Sequence, residues 1–251
     1  MVAKKALMIC WAGLFGLTTF GAACLSGGGN GKGEPPAPRD PEREERLRMV
    51  ATQIEARGIT APTVLEAMRS VPRHLYVPLS ERAYAYADGP LSIGQGQTIS
   101  QPYIVALMTE LIRPLRSMKV LEVGTGSGYQ AAVLAECVGE VYTIEIVPEL
   151  GHRAEELLQG QGYKNVHVRV GDGYDGWPEA APFDAVLLTA APEEIPLPLL
   201  GQLRMGGRLV APVGTSHQEL VVVTKTDAGL KRETVTGVRF VPMTGKAEKK
   251  Y

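Results

Sequence analysis

Along the middle of the chain, short apolar runs alternate with stretches whose apolar residues recur at helical spacing. The order is strand-like "KVLEVG", helix-like "YQAAVLAECV", strand-like "EVYTIEI", helix-like "PELGHRAEELLQGQG", then strand-like "NVHVRVGD" and "FDAVLLTA". Parallel strands covered on both faces read as continuous apolar runs, with helices supplying the crossovers. The pattern therefore predicts an α/β fold built on a doubly wound, Rossmann-like sheet. Three later runs, "GGRLVAPVG", "ELVVVTK" and "GVRFVPMTG", are expected to complete it, the last two antiparallel at one edge. No internal repeat is visible.

Ahead of this alternation, Leu47, Val50 and Ile54 recur at helical spacing, and a second short helix is expected from Thr60 with Pro62 in its first turn. These helices form a cap on the main domain. The chain thus divides into a signal-like segment at 1–23, a flexible linker at 24–41 and one folded domain at 42–251. Within that domain, 42–100 holds the helical cap and an uncharged loop, and 101–251 the Rossmann-like core.

The first strand runs into "VLEVGTGSGYQAAVLA", which sets Gly124, Gly126 and Gly128 between strand and helix, with Thr125 and Ser127 interleaved. Glycines at such a turn let a ligand approach backbone N–H groups at the helix start. Glu145 ends the second strand, where a carboxylate can accept from both hydroxyls of a ribose. Asp172 and Gly173 end the third, where side chain or backbone can meet an adenine edge. Together they describe an adenosine pocket along the carboxyl ends of adjacent strands. Nicotinamide cofactors use such a pocket with G-x-G-x-x-G, whereas this turn is G-x-G-x-G preceded by Glu122. That variant favours S-adenosylmethionine.

Between cap and core lies "GQGQTISQPY", Gly94 to Tyr103, which has no charged side chain. A carboxylate methyl acceptor, with a pKa of about 4, is ionised at neutral pH and needs no general base. It does need donors to hold one oxygen while the other attacks, and hydroxyls and amides provide them without adding a competing anion. Ser100 is also placed to cap the helix that Pro102 opens, and the two roles are compatible.

Composition narrows the partners. A net charge of −1 over 251 residues, with both signs interspersed, gives no field that would steer nucleic acid. His74, His152, His167 and His217 show no metal-ligand spacing, so no metal site is expected. Cys137 falls in an apolar helical pattern and reads as a buried, inert thiol. Lys4-Lys5, the apolar run "ALMICWAGLFGLTTF" and Gly21-Ala22-Ala23 before Cys24 read as an export signal. Small residues before a cysteine resemble a bacterial lipoprotein processing site, making Cys24 a candidate lipid anchor. Cleavage after Ala23, an uncleaved anchor and a start further downstream are the alternatives.

The chain resembles the protein-L-isoaspartate (D-aspartate) O-methyltransferase family from about Glu44 to Gly245. The similarity runs through "VPRHLYVP", "AYADGPLSIGQGQTISQPYIVALM", "VLEVGTGSGYQAAVLA", "VGDGYDGW", "FDAVLLTAAPEEIP" and "GGRLVAPVG". It implies a class I S-adenosylmethionine-dependent methyltransferase that methylates the free α-carboxylate of isoaspartyl residues in damaged proteins. The ester then closes to a succinimide that can reopen to aspartate. Carried onto this chain, Ser100 is the family's active-site serine, and Thr98, Ile99 and Gln101 line the same wall. Asp88 also matches and is expected to shape the loop. A class I enzyme acting on another small carboxylate, or a secreted binding module that keeps the fold, are the competing readings. A monomer is expected. The family is cytoplasmic by default, where its cofactor is made, so the export signal stands in tension with the resemblance.

Overall fold

The computed structural model describes residues 41–248; the signal-like segment, Cys24 and the linker up to residue 40 lie outside them. Helix α1 (Pro41–Met49) passes into a wider turn over Val50–Ile54 and a final 3-10 turn that Gly58 ends at φ 93°. Helix α2 (Pro62–Ser70) begins at a proline, whose fixed φ suits a first turn and whose missing N–H would be unpaired there anyway. Both helices turn apolar residues inward, Met49, Val50 and Ile54 against Val64, Leu65 and Met68. Strands β1 (Leu91–Gly94) and β2 (Gln97–Ile99) then form a small antiparallel hairpin. Its tip, Gln95-Gly96, has φ of 53° and 70°, the positive pair that twisted two-residue hairpins favour.

Helix α3 (Pro102–Leu111) leads into the core: β3 (Lys119–Val123), α4 (Tyr129–Ala135), β4 (Glu140–Glu145), α5 (Pro148–Gly160), β5 (Val166–Val170) and β6 (Phe183–Leu188). The short α6 (Leu197–Gly201), β7 (Leu203–Val213), β8 (Gln218–Thr226) and β9 (Gly229–Val238) follow. The seven-stranded sheet has the order β5-β4-β3-β6-β7-β8-β9. Its first five strands are parallel, while β8 runs antiparallel to both β7 and β9. Successive residues of β3 feed opposite cores: Val120 joins the cap, α3 and α4, and Leu121 joins Leu199, Leu209 and Met243 on the other face. The direction of winding reverses between β3 and β6, and an open α/β sheet receives ligands beside that switch.

One expected strand lies elsewhere. The edge ladder is Gly229–Val238, and "GVRFVPMTG" enters it only at Gly237 and Val238. Beyond them, the Gln218 amide clamps Phe240, accepting from its N–H at 2.6 Å and donating to its carbonyl at 3.2 Å. The chain then turns back over the sheet. Ala191 N donates to Val241 O and Met243 N to Ala191 O, both at 2.8 Å. This return buries Met243 and half-buries Phe240 and Val241, and it pairs Pro242 with Ala191 in a single parallel bridge outside the sheet's ladders.

Candidate active site

A cleft of about 820 Å³ opens at the carboxyl ends of β3, β4 and β6. Its floor is the turn after β3. Gly124 N and Thr125 N both donate to Ile144 O, at 2.8 and 3.2 Å, and Gly128 N donates to Thr125 O at 2.8 Å. Gly124 sits at φ 103°, and a Cβ there would strike Thr189 Oγ1. That hydroxyl donates to the Gly124 carbonyl at 2.5 Å. The position therefore needs glycine for conformation and for room.

Glu145, only 5% exposed at the end of β4, accepts from Gly126 N at 2.7 Å and from Val147 N at 2.9 Å. Each carboxylate oxygen keeps further lone-pair capacity toward the cleft. Asp172, just past β5, accepts from Tyr174 N at 2.9 Å and Lys246 N at 2.8 Å. Gly173 packs so closely that a Cβ would collide with Val123. Val123, Ile144 and Ile146 supply apolar wall between the polar groups. A tight glycine turn, a carboxylate at the adjoining strand end and an apolar slot beside Asp172 form a donor set that fits S-adenosylmethionine.

Glu122 does not border the cleft. It is fully buried behind the turn, where Thr143 Oγ1 donates to its Oε2 at 2.6 Å and lies 2.6 Å from Thr125 Oγ1. Its other oxygen has no partner, and burial pushes its carboxyl up to about 8. A neutral Glu122 thus supports the turn from beneath through Thr143 and Thr125. Gly128 also falls outside the lining: a Cβ there would lie 3.2 Å from Leu158, so it sets the packing of α4 on α5.

The roof comes from β2 and the residues before α3. Thr98, Ile99 and Ser100 all border the cleft, Thr98 exposed, Ile99 buried and Ser100 half-buried. Ser100 does not cap α3. The helix opens at Pro102, and Gln101 holds the capping position with φ −49°, ψ 137° and no side-chain cap. The Gln101 amide instead donates to Asp88 Oδ1 at 2.7 Å, on a carboxylate that Arg57 also holds at 3.3 Å. Gln101 therefore lines an outer groove that Arg57, Tyr103 and Arg239 also border. Cleft and groove meet at Thr98, Ser100, Thr189 and Val241.

Sequence reading missed Thr189 and the returning segment Val241–Thr244, which also border the cleft. It missed Tyr129 and Gln130 too, at the start of α4. Tyr129 lies 4.9 Å from the guanidinium of Arg73, an arginine with no exposed surface that donates to Ala85 O at 2.8 Å. "VPRHLYVP" thereby ties the cap to the helix behind the glycine turn. Cys137 is buried, and burial pushes its thiol up to about 12, which leaves it inert at neutral pH.

The parallel sheet, its glycine turn and the carboxylates at consecutive strand ends define a class I S-adenosylmethionine-dependent methyltransferase. Residues 44–248 match the protein-L-isoaspartate(D-aspartate) O-methyltransferase (PCMT) family, and the chain belongs to that family. Among its relatives, the protein-L-isoaspartate O-methyltransferase of Picosynechococcus sp. is 57% identical over 206 residues, which are 82% of this chain and 93% of the relative. That of Opitutus terrae is 57% identical over 202 residues, 80% of this chain and 87% of the relative. Among solved structures, a protein-L-isoaspartate O-methyltransferase superposes with a TM-score of 0.73 at 30% identity, covering 82% of this chain and 67% of that one. A Plasmodium falciparum structure described as a PCMT in complex with S-adenosyl-L-homocysteine gives 0.69 at 23% identity, covering 79% and 98%, and shows the shared fold.

Proposed function

We infer that this chain transfers the methyl group of S-adenosylmethionine to the free α-carboxylate of L-isoaspartyl and D-aspartyl residues in damaged proteins, the step that initiates their repair. Family membership supports the reaction, and the junction between cleft and groove supports the division of labour among residues. Of the three hydroxyls at that junction, Thr189 gives its proton to the Gly124 carbonyl. Thr98 and Ser100 are left to donate to a carboxylate entering from the groove. This juxtaposition carries the assignment of Ser100.

When bound, S-adenosylmethionine supplies an electrophilic methyl group on a cationic sulfur. Glu145 and the Gly124–Ser127 turn hold the adenosine-bearing end, with Asp172 and Gly173 at the adenine side. The acceptor carboxylate is already ionised, so no residue needs to remove a proton. Ser100 and Thr98 orient one acceptor oxygen so that the other lies in line with the methyl group, and alignment is the main requirement for such a transfer. The test is the chemistry of the product. Methyl label transferred to an isoaspartyl peptide should be released by mild base, as a carboxyl ester requires; base-stable label would exclude a carboxyl ester and overturn the reading.

The N-terminal segment carries a separate proposal, export with Cys24 as lipid attachment point, supported by Lys4-Lys5, the apolar run and Gly21-Ala22-Ala23. The mass of the mature N-terminus from the source cells tests it. A chain starting at a lipidated Cys24 supports it, and a chain retaining Met1 contradicts it.

A further inference from the structure

At the other end of the sheet, where the parallel strands begin, a second cleft of about 1280 Å³ is lined by four cationic side chains, Arg113, Arg204, Arg208 and Lys231, and two carboxylates, Asp184 and Glu233. The carboxylates are already engaged: Asp184 pairs with Arg204 and accepts from Lys119 N at 2.7 Å, and Glu233 pairs with Lys231 at 2.6 Å. The guanidinium groups of Arg113 and Arg208 make no ion pair or hydrogen bond among the described residues. Arg208 Nε is fully buried without a partner.

Topology explains the convergence. Arg208 of β7 lies opposite Thr224 of β8, which lies opposite Lys231 of β9, so all three share one cross-strand row on one face. Arg113 lies two residues beyond the end of α3, which packs on that face, and holds the left-handed conformation at φ 55°. Burial first, and then the neighbouring charge of Arg113, lower the pKa of Arg208, while Glu233, which Lys231 already pairs, acts in the opposite direction.

We propose that this cleft is a second ligand site, separate from the methyl-transfer cleft, which binds a phosphate-type anion between the Arg113 and Arg208 guanidinium groups. Two planar forks lining one cleft suit a tetrahedral dianion, since each can take a pair of its oxygens, whereas one carboxylate occupies a single fork. The phosphate can come from solution or from an anionic phospholipid headgroup. Leu115 and Met205, 64% and 54% exposed on the same cleft, offer apolar contact to the second source.

The experiment uses the full chain, as wild type, Arg113→Ser and Arg208→Lys. Thermal unfolding is followed in inorganic phosphate against chloride at matched ionic strength. Co-sedimentation is measured with phosphatidylcholine vesicles with and without phosphatidylglycerol. Every variant keeps the same apolar N-terminus, so its vesicle binding is a common background. The wild type should gain stability from phosphate, or sediment in response to phosphatidylglycerol, or both. Arg113→Ser should weaken that response about ten-fold, with methylation kinetics unchanged. Arg208→Lys, which keeps the charge and loses the fork, should fall between. A phosphate response alone assigns a soluble ligand, and a vesicle response alone assigns a headgroup. Indifference to both anions, or a response that Arg113→Ser leaves intact, overturns the proposal.

Discussion

The Glu145 carboxylate accepts a hydrogen bond from the backbone N–H of Gly126 at 2.7 Å, so one side chain fixes the end of β4 to the glycine turn that follows β3. Its other oxygen accepts from Val147 N at 2.9 Å. Glu145 thus shapes the turn and borders the cleft, where its proposed role is to accept from the cofactor ribose. Glu145→Gln would set an amide NH2 against one of those N–H donors while removing the charge. Loss of a charge-assisted hydrogen bond amounts to about 1.5–3 kcal/mol, so affinity for S-adenosylhomocysteine should fall roughly ten- to hundred-fold by calorimetry. Unchanged affinity would remove Glu145 from the cofactor site.

Gly124→Ala should damage the same site by another route. It asks alanine for a φ of 103° and drives its Cβ against Thr189 Oγ1. A cost of about 1–3 kcal/mol is expected for a strained left-handed position, seen as a lower unfolding temperature together with weaker cofactor binding. Adding Thr189→Ala relieves the contact but not the backbone, so the double variant should recover only in part.

Ser100→Ala separates the two substrates. Ser100 lies at the junction of cleft and groove, so its loss should lower kcat/KM for an isoaspartyl peptide about ten-fold or more and leave S-adenosylhomocysteine affinity within two-fold. A drop in cofactor affinity of similar size would mean that Ser100 shapes the pocket rather than orients the acceptor.

Glu122 gives the stability a pH dependence of defined sign. Its carboxyl is raised from 4.5 to about 8 by burial, so the unfolded chain loses this proton at lower pH than the folded one does. The contribution of Glu122 is most favourable below pH 4.5, declines as pH rises through that interval and levels off above about 8. Glu122→Gln removes the titration. The unfolding temperature of the variant relative to wild type should therefore climb steadily from pH 5 to pH 8, and a difference that stays flat would show that Glu122 is ionised in the folded protein.

The alternating runs from Lys119 to Leu188 were legible because β3, β4 and β6 are buried along most of their length and α5 carries an apolar stripe of Leu150, Ala154 and Leu158. Glu145 and Asp172 were legible because strand ends bring sequence-distant carboxylates to one edge of the sheet. The edge strand was not. Gly229–Val238, "GLKRETVTGV", is exposed over nearly its whole length and shows no apolar face, whereas the more apolar "GVRFVPMTG" returns to Ala191, where Met243 is buried and Phe240 and Val241 are half-buried. The place of Glu122 was obscured for a related reason. Inward and outward residues of a doubly covered strand look alike in sequence, so a carboxylate behind the turn reads like one facing the ligand. Ser100 resembled a helix cap because Pro102 follows it, and the extended backbone of Gln101 moves the capping position one residue on.

The acceptor defines the function, and the most direct measurement is methyl transfer from labelled S-adenosylmethionine by the full chain to an isoaspartyl peptide and, separately, to its aspartyl twin. Label should enter the isoaspartyl peptide and leave the twin at background. Equal labelling of both, or none of either while S-adenosylhomocysteine still binds, would contradict the account and leave a class I methyltransferase with a different acceptor.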